Sequence, residues 1–160
     1  MGALVMDSKE YYNEIRKHQI FTGNVHSPSP LNCKFVLQGL SSLVVRLERI
    51  QKNSLEVATY LESHPKILKV FHPSLKSHPQ HELALKQSFG YSGILSFYIK
   101  DGTLEHSKKL LRAITSHSML TPEVKFRTGL WENLLRVSVG LEDPEDIIED
   151  FKQALDKIDI

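Results

Sequence analysis

Three short runs rich in β-branched and aromatic residues, at 67–71, 94–99 and 134–139, alternate with longer stretches of helical period. Alternation of this kind, with so few and such short strands, directs the chain to an α/β or α+β class in which three or four strands are covered by helices on one face. At 160 residues there is room for one ordinary domain. No internal repeat, low-complexity tract or coiled-coil register interrupts the pattern.

The helical stretches carry their own punctuation. Residues 2–6 form a short apolar run that reads as a strand, and Asp7 and Ser8 then suit a helix N-cap. A helix follows over 9–20, with Tyr12 and Ile15 on one side, until Thr22-Gly23-Asn24 breaks it. Residues 25–30 form a loop, since prolines at 28 and 30 cannot continue a helix. The longest periodic segment comes next. Val36, Leu40, Leu43, Leu47 and Ile50 recur every three or four residues, as a buried stripe does. The reading is one long helix to about residue 63, kinked near Asn53 and Ser54, with Gly39 marking close packing against a neighbour. Short helices are expected over 81–87 and 104–113. Asp143-Pro144-Glu145-Asp146 opens the last helix with a cap, a proline at the first position and acids in the first turn. Its buried face would be Ile147, Ile148, Phe151, Leu155 and Ile158.

Bulk chemistry narrows the function. Twenty basic against nineteen acidic residues leave a formal net charge of +1, which argues for neither nucleic acid nor an acidic membrane surface as partner. No apolar run approaches the roughly 20 residues a membrane span needs. One cysteine, Cys33, excludes an internal disulfide and suits a reducing compartment. No export or organelle signal is apparent, so a cytoplasmic location is expected. Cys33 reads as a buried or half-buried apolar residue rather than a nucleophile. His72, His78 and His81 cluster, but no cysteine or second helical histidine completes a metal motif. A solvated loop with helix capping is the expectation, and no metal site. Gly90-Tyr91-Ser92-Gly93 leads into a strand, which suits a turn and not a phosphate loop.

The stretch with most chemical content is Leu134-Leu135-Arg136-Val137-Ser138-Val139. On a strand, Leu135, Val137 and Val139 face one way and Arg136 and Ser138 the other. An arginine there calls for an anion. Its planar fork suits two-point contact with a carboxylate, and an edge-strand arginine paired with a surface acid is the other reading the pattern leaves open.

Residues 134–146, Leu-Leu-Arg-Val-Ser-Val-Gly-Leu-Glu-Asp-Pro-Glu-Asp, resemble the C-terminal signature of the transsulfuration enzymes, the fold-type I pyridoxal-phosphate-dependent enzymes of cysteine and methionine metabolism. Thr22-Gly23-Asn24-Val25, Ser29-Pro30-Leu31-Asn32, Leu37-Gln38-Gly39-Leu40, Ser77-His78-Pro79-Gln80-His81-Glu82-Leu83 and Met119-Leu120-Thr121-Pro122-Glu123 resemble further stretches of that family. The likeness runs nearly end to end. Around 77–87 and 141–150 the wording is most similar to the eukaryotic cystathionine γ-lyases. The resemblance implies the C-terminal small domain of a fold-type I enzyme: a short, mostly antiparallel sheet covered by helices, with a long linking helix. Residues 1–30 would be a remnant of the end of the large cofactor domain, and 31–160 the C-terminal domain. It also implies a carbon–sulfur lyase converting cystathionine to cysteine, a sulfur amino acid as substrate, pyridoxal 5'-phosphate as cofactor, a homotetramer, and Arg136 as the residue holding the substrate α-carboxylate.

Several departures qualify what is implied. The family's Schiff-base lysine follows a Ser-x-Thr type stretch just upstream of Val-Met-Gly, whereas this sequence opens with residues that resemble the far side of that stretch and has no Thr-Lys dipeptide. The lysine, its acid partner and most phosphate contacts are therefore expected to be absent, with no catalytic or cofactor-binding residue within these 160. The family's Glu-Ser-Leu-Gly-Gly segment is also missing, so that Ala113 runs directly into Ile114-Thr115-Ser116-His117-Ser118, an apparent internal deletion. Gln38, Asn32 and Ile50 replace an Arg, an Asp and a His, and two extra residues stand within 25–30. The expectation is a truncated, inactive form, or else a noncatalytic degenerate paralogue or splice product that associates with full-length subunits. Without the large domain, Tyr11, Tyr12, Phe21 and one side of the long helix would be exposed.

Overall fold

A computed structural model describes residues 4–21, 29–113 and 133–159. The expectations attached to residues 1–3, Thr22–Val25, the segment after Ala113 and the Met119–Glu123 motif lie outside them. The elements, in chain order, are α1 (Lys9–Phe21), α2 (Pro30–Ser41), α3 (Leu43–Ser63), β1 (Ile67–Phe71), α4 (His81–Gln87), β2 (Ile94–Ile99), α5 (Leu104–Ala113), β3 (Leu135–Ser138) and α6 (Pro144–Asp156). The class is α+β. Residues 4–6 are not a strand, contrary to expectation: no partner strand among the described residues takes up their backbone groups.

The chain divides into two compact units, Met1–Val44 and Val45–Ile160. In the first, the Ser8 hydroxyl accepts from the Tyr11 N–H at the start of α1, as a cap should. Ser29 caps α2 in the same way through the Asn32 N–H, with Pro30 at the first helical position. Neither helix buries a residue. Tyr11, Tyr12 and Phe21 are exposed as expected.

The single long helix is a correction. The periodic stretch is two helices, α2 ending at Ser41 and α3 starting at Leu43, while Asn53 and Ser54 lie inside an uninterrupted α3. The buried stripe read from periodicity is absent at its N-terminal end, where Val36, Leu40 and Leu47 are exposed, in line with the exposure of one side of the long helix that the resemblance implies. Nothing approaches Gly39 within 4 Å of where a Cβ would stand, so close packing does not explain it. Helical period reports that a face is apolar. Whether the face is covered depends on what else packs there.

The second unit holds the core. Its sheet has the order β1-β2-β3, antiparallel throughout. In β3, Leu135, Val137 and then Val139 are buried while Arg136 and Ser138 are exposed, the period-2 alternation the sequence predicts. On β2, Leu95, Phe97 and Ile99 face the same core. Val57, Ala58 and Leu61 of α3, Leu110 of α5, and Phe151, Ala154 and Leu155 of α6 complete it, with Ile147 and Ile148 packed against its edge. On the other sheet face Lys69 stands opposite Tyr98, Phe71 opposite Ser96, Ser96 opposite Arg136 and Ile94 opposite Ser138.

The two ends of α6 are satisfied in different ways, one by a residue distant in sequence and one locally. The Lys66 ammonium donates to the carbonyls of Leu155 (2.9 Å) and Ile158 (2.8 Å), supplying cationic donors to the orphan acceptors at the C-terminus of α6. Asp143 caps the other end of α6 through the Glu145 N–H, as expected.

Candidate functional site

Arg136 stands on the exposed face of β3, and its backbone register places it opposite Ser96 of β2. No ion pair between Arg136 and a carboxylate occurs among the described residues. Of the two readings left open by its pattern, pairing with a surface acid therefore has no support among the described residues. Its surroundings are polar and small on one side, with Ser96 and Ser138, and aromatic beyond, where Phe71 and Tyr98 meet edge-on at 5.8 Å. The Lys69 ammonium lies 5.0 Å from the Phe71 ring centre. This face can bind and orient a carboxylate. Among the described residues it presents no nucleophile paired with a base.

The end of β3 is held with unusual thoroughness. The Val139 N–H donates to the Gly93 carbonyl (2.7 Å). A side chain at Gly93 would collide with Ile50 of α3 and come within 2.7 Å of the Val139 carbonyl, so only glycine allows the two chains to approach here. Asn53, fully buried on α3, donates from its amide to the carbonyls of Gly140 (3.0 Å) and Glu142 (2.7 Å). One turn earlier, Arg49 pairs with Asp143 at 3.5 Å. The turn before β2 is held by the same helix: Gln51 accepts from the Tyr91 N–H and Ser54 donates to the Ser92 carbonyl. The glycine turn at 90–93 thus leads into a strand, as expected.

The histidine cluster requires a correction. His72 is buried, not solvated, and its ring spans Ser74 Oγ and the Ser92 carbonyl (2.9 Å). His81 contacts the Pro73 carbonyl at 2.8 Å, and the His78 Nδ1 accepts from the Gln80 N–H. The His78 and His81 rings serve the backbone of the 72–81 loop, while His72 ties that loop to Ser92. Among the described residues no group of three or more His, Cys, Asp or Glu could hold a metal ion. Cys33 is half-buried.

Two histidines give the fold a pH dependence. Burial, then the charges of His72, His81 and Lys69, lower the His78 pKa. Burial and Lys66 lower that of His64, whose Nδ1 accepts from the Lys66 N–H. A pKa depressed on folding means that the unfolded chain binds more protons below the ordinary imidazole value of about 6.5. Stability contributed by the neutral rings is therefore complete above that value and lost progressively as pH falls from it through the lower pKa of the folded state. The urea midpoint should drop on acidification from about pH 7.5 to about pH 5.5, and the double variant His64→Gln, His78→Gln should flatten that slope. An unchanged slope would assign it to other groups.

Covalent capture of pyridoxal phosphate needs a lysine, an acid for the ring nitrogen and donors for the phosphate, gathered at one place. The described residues do not gather them. The Lys66 amine is engaged by carbonyls, and Lys108 and Lys152 pair with Glu105 and Glu149 one turn away. A cleft of about 360 Å³ between α5 and α6 is lined by Lys109, Arg112, Ala113, Ala154, Lys157 and Ile158, and no acid is among them. The described residues do not by themselves fit this cofactor. The buried Asn53 clamp was missed from sequence, where Asn53 looked like a helix kink.

The sequence pattern of the family described as "Cys/Met metabolism PLP-dependent enzyme" matches residues 1–114 and 110–156. Cystathionine γ-lyase of Macaca fascicularis is 39% identical over 176 aligned positions, which take in 97% of this chain and 43% of the relative. Cystathionine γ-lyase of Dictyostelium discoideum is 35% identical, with 98% of this chain and 45% of the relative covered. L-Methionine γ-lyase of Fusobacterium nucleatum subsp. polymorphum is 34% identical, with 99% and 45% covered. The chain thus spans less than half the length of these curated relatives. With a family pattern across most of its residues and an antiparallel α+β unit presenting Arg136, the chain belongs to the Cys/Met metabolism PLP-dependent enzymes.

Proposed function

We propose that these 160 residues form the carboxylate-binding C-terminal part of a carbon–sulfur lyase of the cystathionine γ-lyase kind, and that alone they are inactive. The observation that carries the reading is Arg136, exposed on β3 and unpaired with any acid among the described residues, within a chain up to 39% identical to cystathionine γ-lyases. In this reading Arg136 grips the α-carboxylate of a sulfur amino acid, and the cofactor lysine and phosphate donors are supplied by another polypeptide or another part of a longer one. Residues 1–30 then correspond to the end of the cofactor domain and 31–160 to the small domain, in a cytoplasmic homotetrameric assembly.

Alignments of 176 positions exceed the 160 residues here, and the family pattern matches in two stretches that meet at 110–114. The alignment length supports a family segment missing from this chain, and the division of the family match supports its place near Ala113. A second reading, a noncatalytic chain that associates with full-length subunits, is favoured by the apolar exposure of α1 and α2: Phe21 is 85% exposed, Leu37 66% and Phe35 60%.

The test is cofactor trapping. The purified chain, incubated with pyridoxal phosphate and then borohydride, should show no stoichiometric attachment and no release of 2-oxobutanoate from cystathionine. Addition of the cofactor-bearing part of a family relative should produce turnover. Reducible one-to-one attachment with turnover by the chain alone would sink the proposal. Stable association with full-length subunits without any gain in turnover would favour the second reading.

A further inference from the structure

The amide of Asn53 is one turn from Arg49 on the same face of α3, and together they grip the segment 139–143 that follows β3, at Gly140, Glu142 and Asp143. Resting on the reading of Arg136 as the carboxylate grip, we propose that Asn53 is a positioning residue for Arg136, fixing where along the sheet β3 presents it.

β3 is only four residues long and, among the described residues, pairs on one side alone. A strand that short has few ladder bonds to fix its register. A slip of one residue would turn Arg136 into the core and expose Leu135 and Val137, which burial opposes. A slip of two keeps every side chain on its face, so burial opposes it much less, yet it moves the guanidinium roughly 7 Å along the strand. What resists that second slip is an anchor beyond the ladder. Asn53 supplies it by donating both amide hydrogens to carbonyls four and six positions after Arg136. The amide can face only one way, since turning it over would set its oxygen against two carbonyl oxygens. Its Oδ1 accepts no hydrogen bond among the described residues, so the donating side does the holding. Arg49 adds a charge contact to Asp143, the cap of α6, and so ties the same loop to the helix that closes the core.

Asn53→Asp is the decisive variant because it keeps shape and removes the donors. Because a buried carboxylate also carries a desolvation cost of its own, Asn53→Leu, which fills the same space with neither donor nor charge, is measured beside it: if Asn53 merely fills space, the leucine should behave as wild type. If Asn53 positions the strand end by donation, the carboxylate faces two acceptors and the loop opens. In the full chain at neutral pH, peptides covering 134–143 should exchange amide hydrogen at least about tenfold faster, while those covering β1 and β2 stay protected. Acidification should restore part of the protection, because a protonated aspartate can donate once; Asn53→Ala should show no such recovery. Exchange of Asn53→Asp at the wild-type rate overturns the proposal. Should that variant fail to fold, Arg49→Gln serves in its place. It should speed exchange of 140–143 about threefold, and no change there overturns the proposal as well.

Assembled with a cofactor-bearing part, Asn53→Asp should raise KM for the amino acid about tenfold and leave kcat within about twofold. Arg136→Ala in the same assay separates the two failures. If it leaves KM unchanged, the reading of the site is wrong. If it raises KM and Asn53→Asp does not, the site stands and the positioning role is lost.

Discussion

Replacing Arg136 by alanine is expected to raise KM for the amino-acid substrate about a hundredfold in the assembled enzyme while leaving the stability of the chain unchanged. The size follows from the chemistry. A guanidinium and a carboxylate share two parallel charge-assisted hydrogen bonds, each contributing about 1.5–3 kcal/mol, and loss of about 3 kcal/mol is roughly two factors of ten. Arg136→Lys retains the charge and loses the fork, so a change near tenfold is expected. The separation from folding comes from the structure: the side chain lies on the open face of β3 and contributes to no ion pair among the described residues. Surface substitutions of this kind stay within about 0.5 kcal/mol of wild type. Steady-state kinetics with cystathionine and thermal denaturation, run on the same preparations, measure both halves. Unchanged KM with Arg136→Ala would remove the residue from the site.

Phe151→Ala should have the largest effect on the fold, lowering stability by about 3–5 kcal/mol, a substantial part of the 5–15 kcal/mol typical of a domain. Phe151 on α6 is 1% exposed, and its ring meets that of Phe97 edge-on at 6.0 Å, the geometry aromatic pairs prefer. Phe97 lies on the central strand of the sheet, so this pair joins α6 to β2 at the middle of the core. Removing the Phe151 ring leaves a void that the strand and helix backbones around it cannot readily fill. A fall in melting temperature of more than about 10 °C by circular dichroism is expected. Leu68→Ala, at a half-exposed position on β1, is the control and should change little. Equal losses from both variants would show that α6 is not central to stability.

The outward direction of Arg136 was legible in the residue pattern because strand alternation is local. Leu135, Arg136, Val137 and Ser138 alternate within four positions, and a strand separates them onto two faces without help from the rest of the molecule. The same holds for the α6 start, where Asp143 and Pro144 satisfy the first turn from within it. Exposure of the α2 face could not be found this way. Val36 and Leu40 have the spacing of buried residues, and nothing within their own helix states whether a partner surface covers them.

Sequence alone was sufficient for family membership, for the order of strands and helices in the second unit, and for the outward direction of Arg136, since each depends on residues within a few positions of one another. Tertiary structure alone revealed Asn53 as the anchor of the β3 end, His72 as a buried bridge and Lys66 as the cap of α6. Their partners stand 87 and 89 residues away for Asn53, 20 for the His72 contact with Ser92, and 89 and 92 for Lys66. A buried polar side chain is defined by the group it satisfies, and that group comes within reach only when the chain has folded back upon itself.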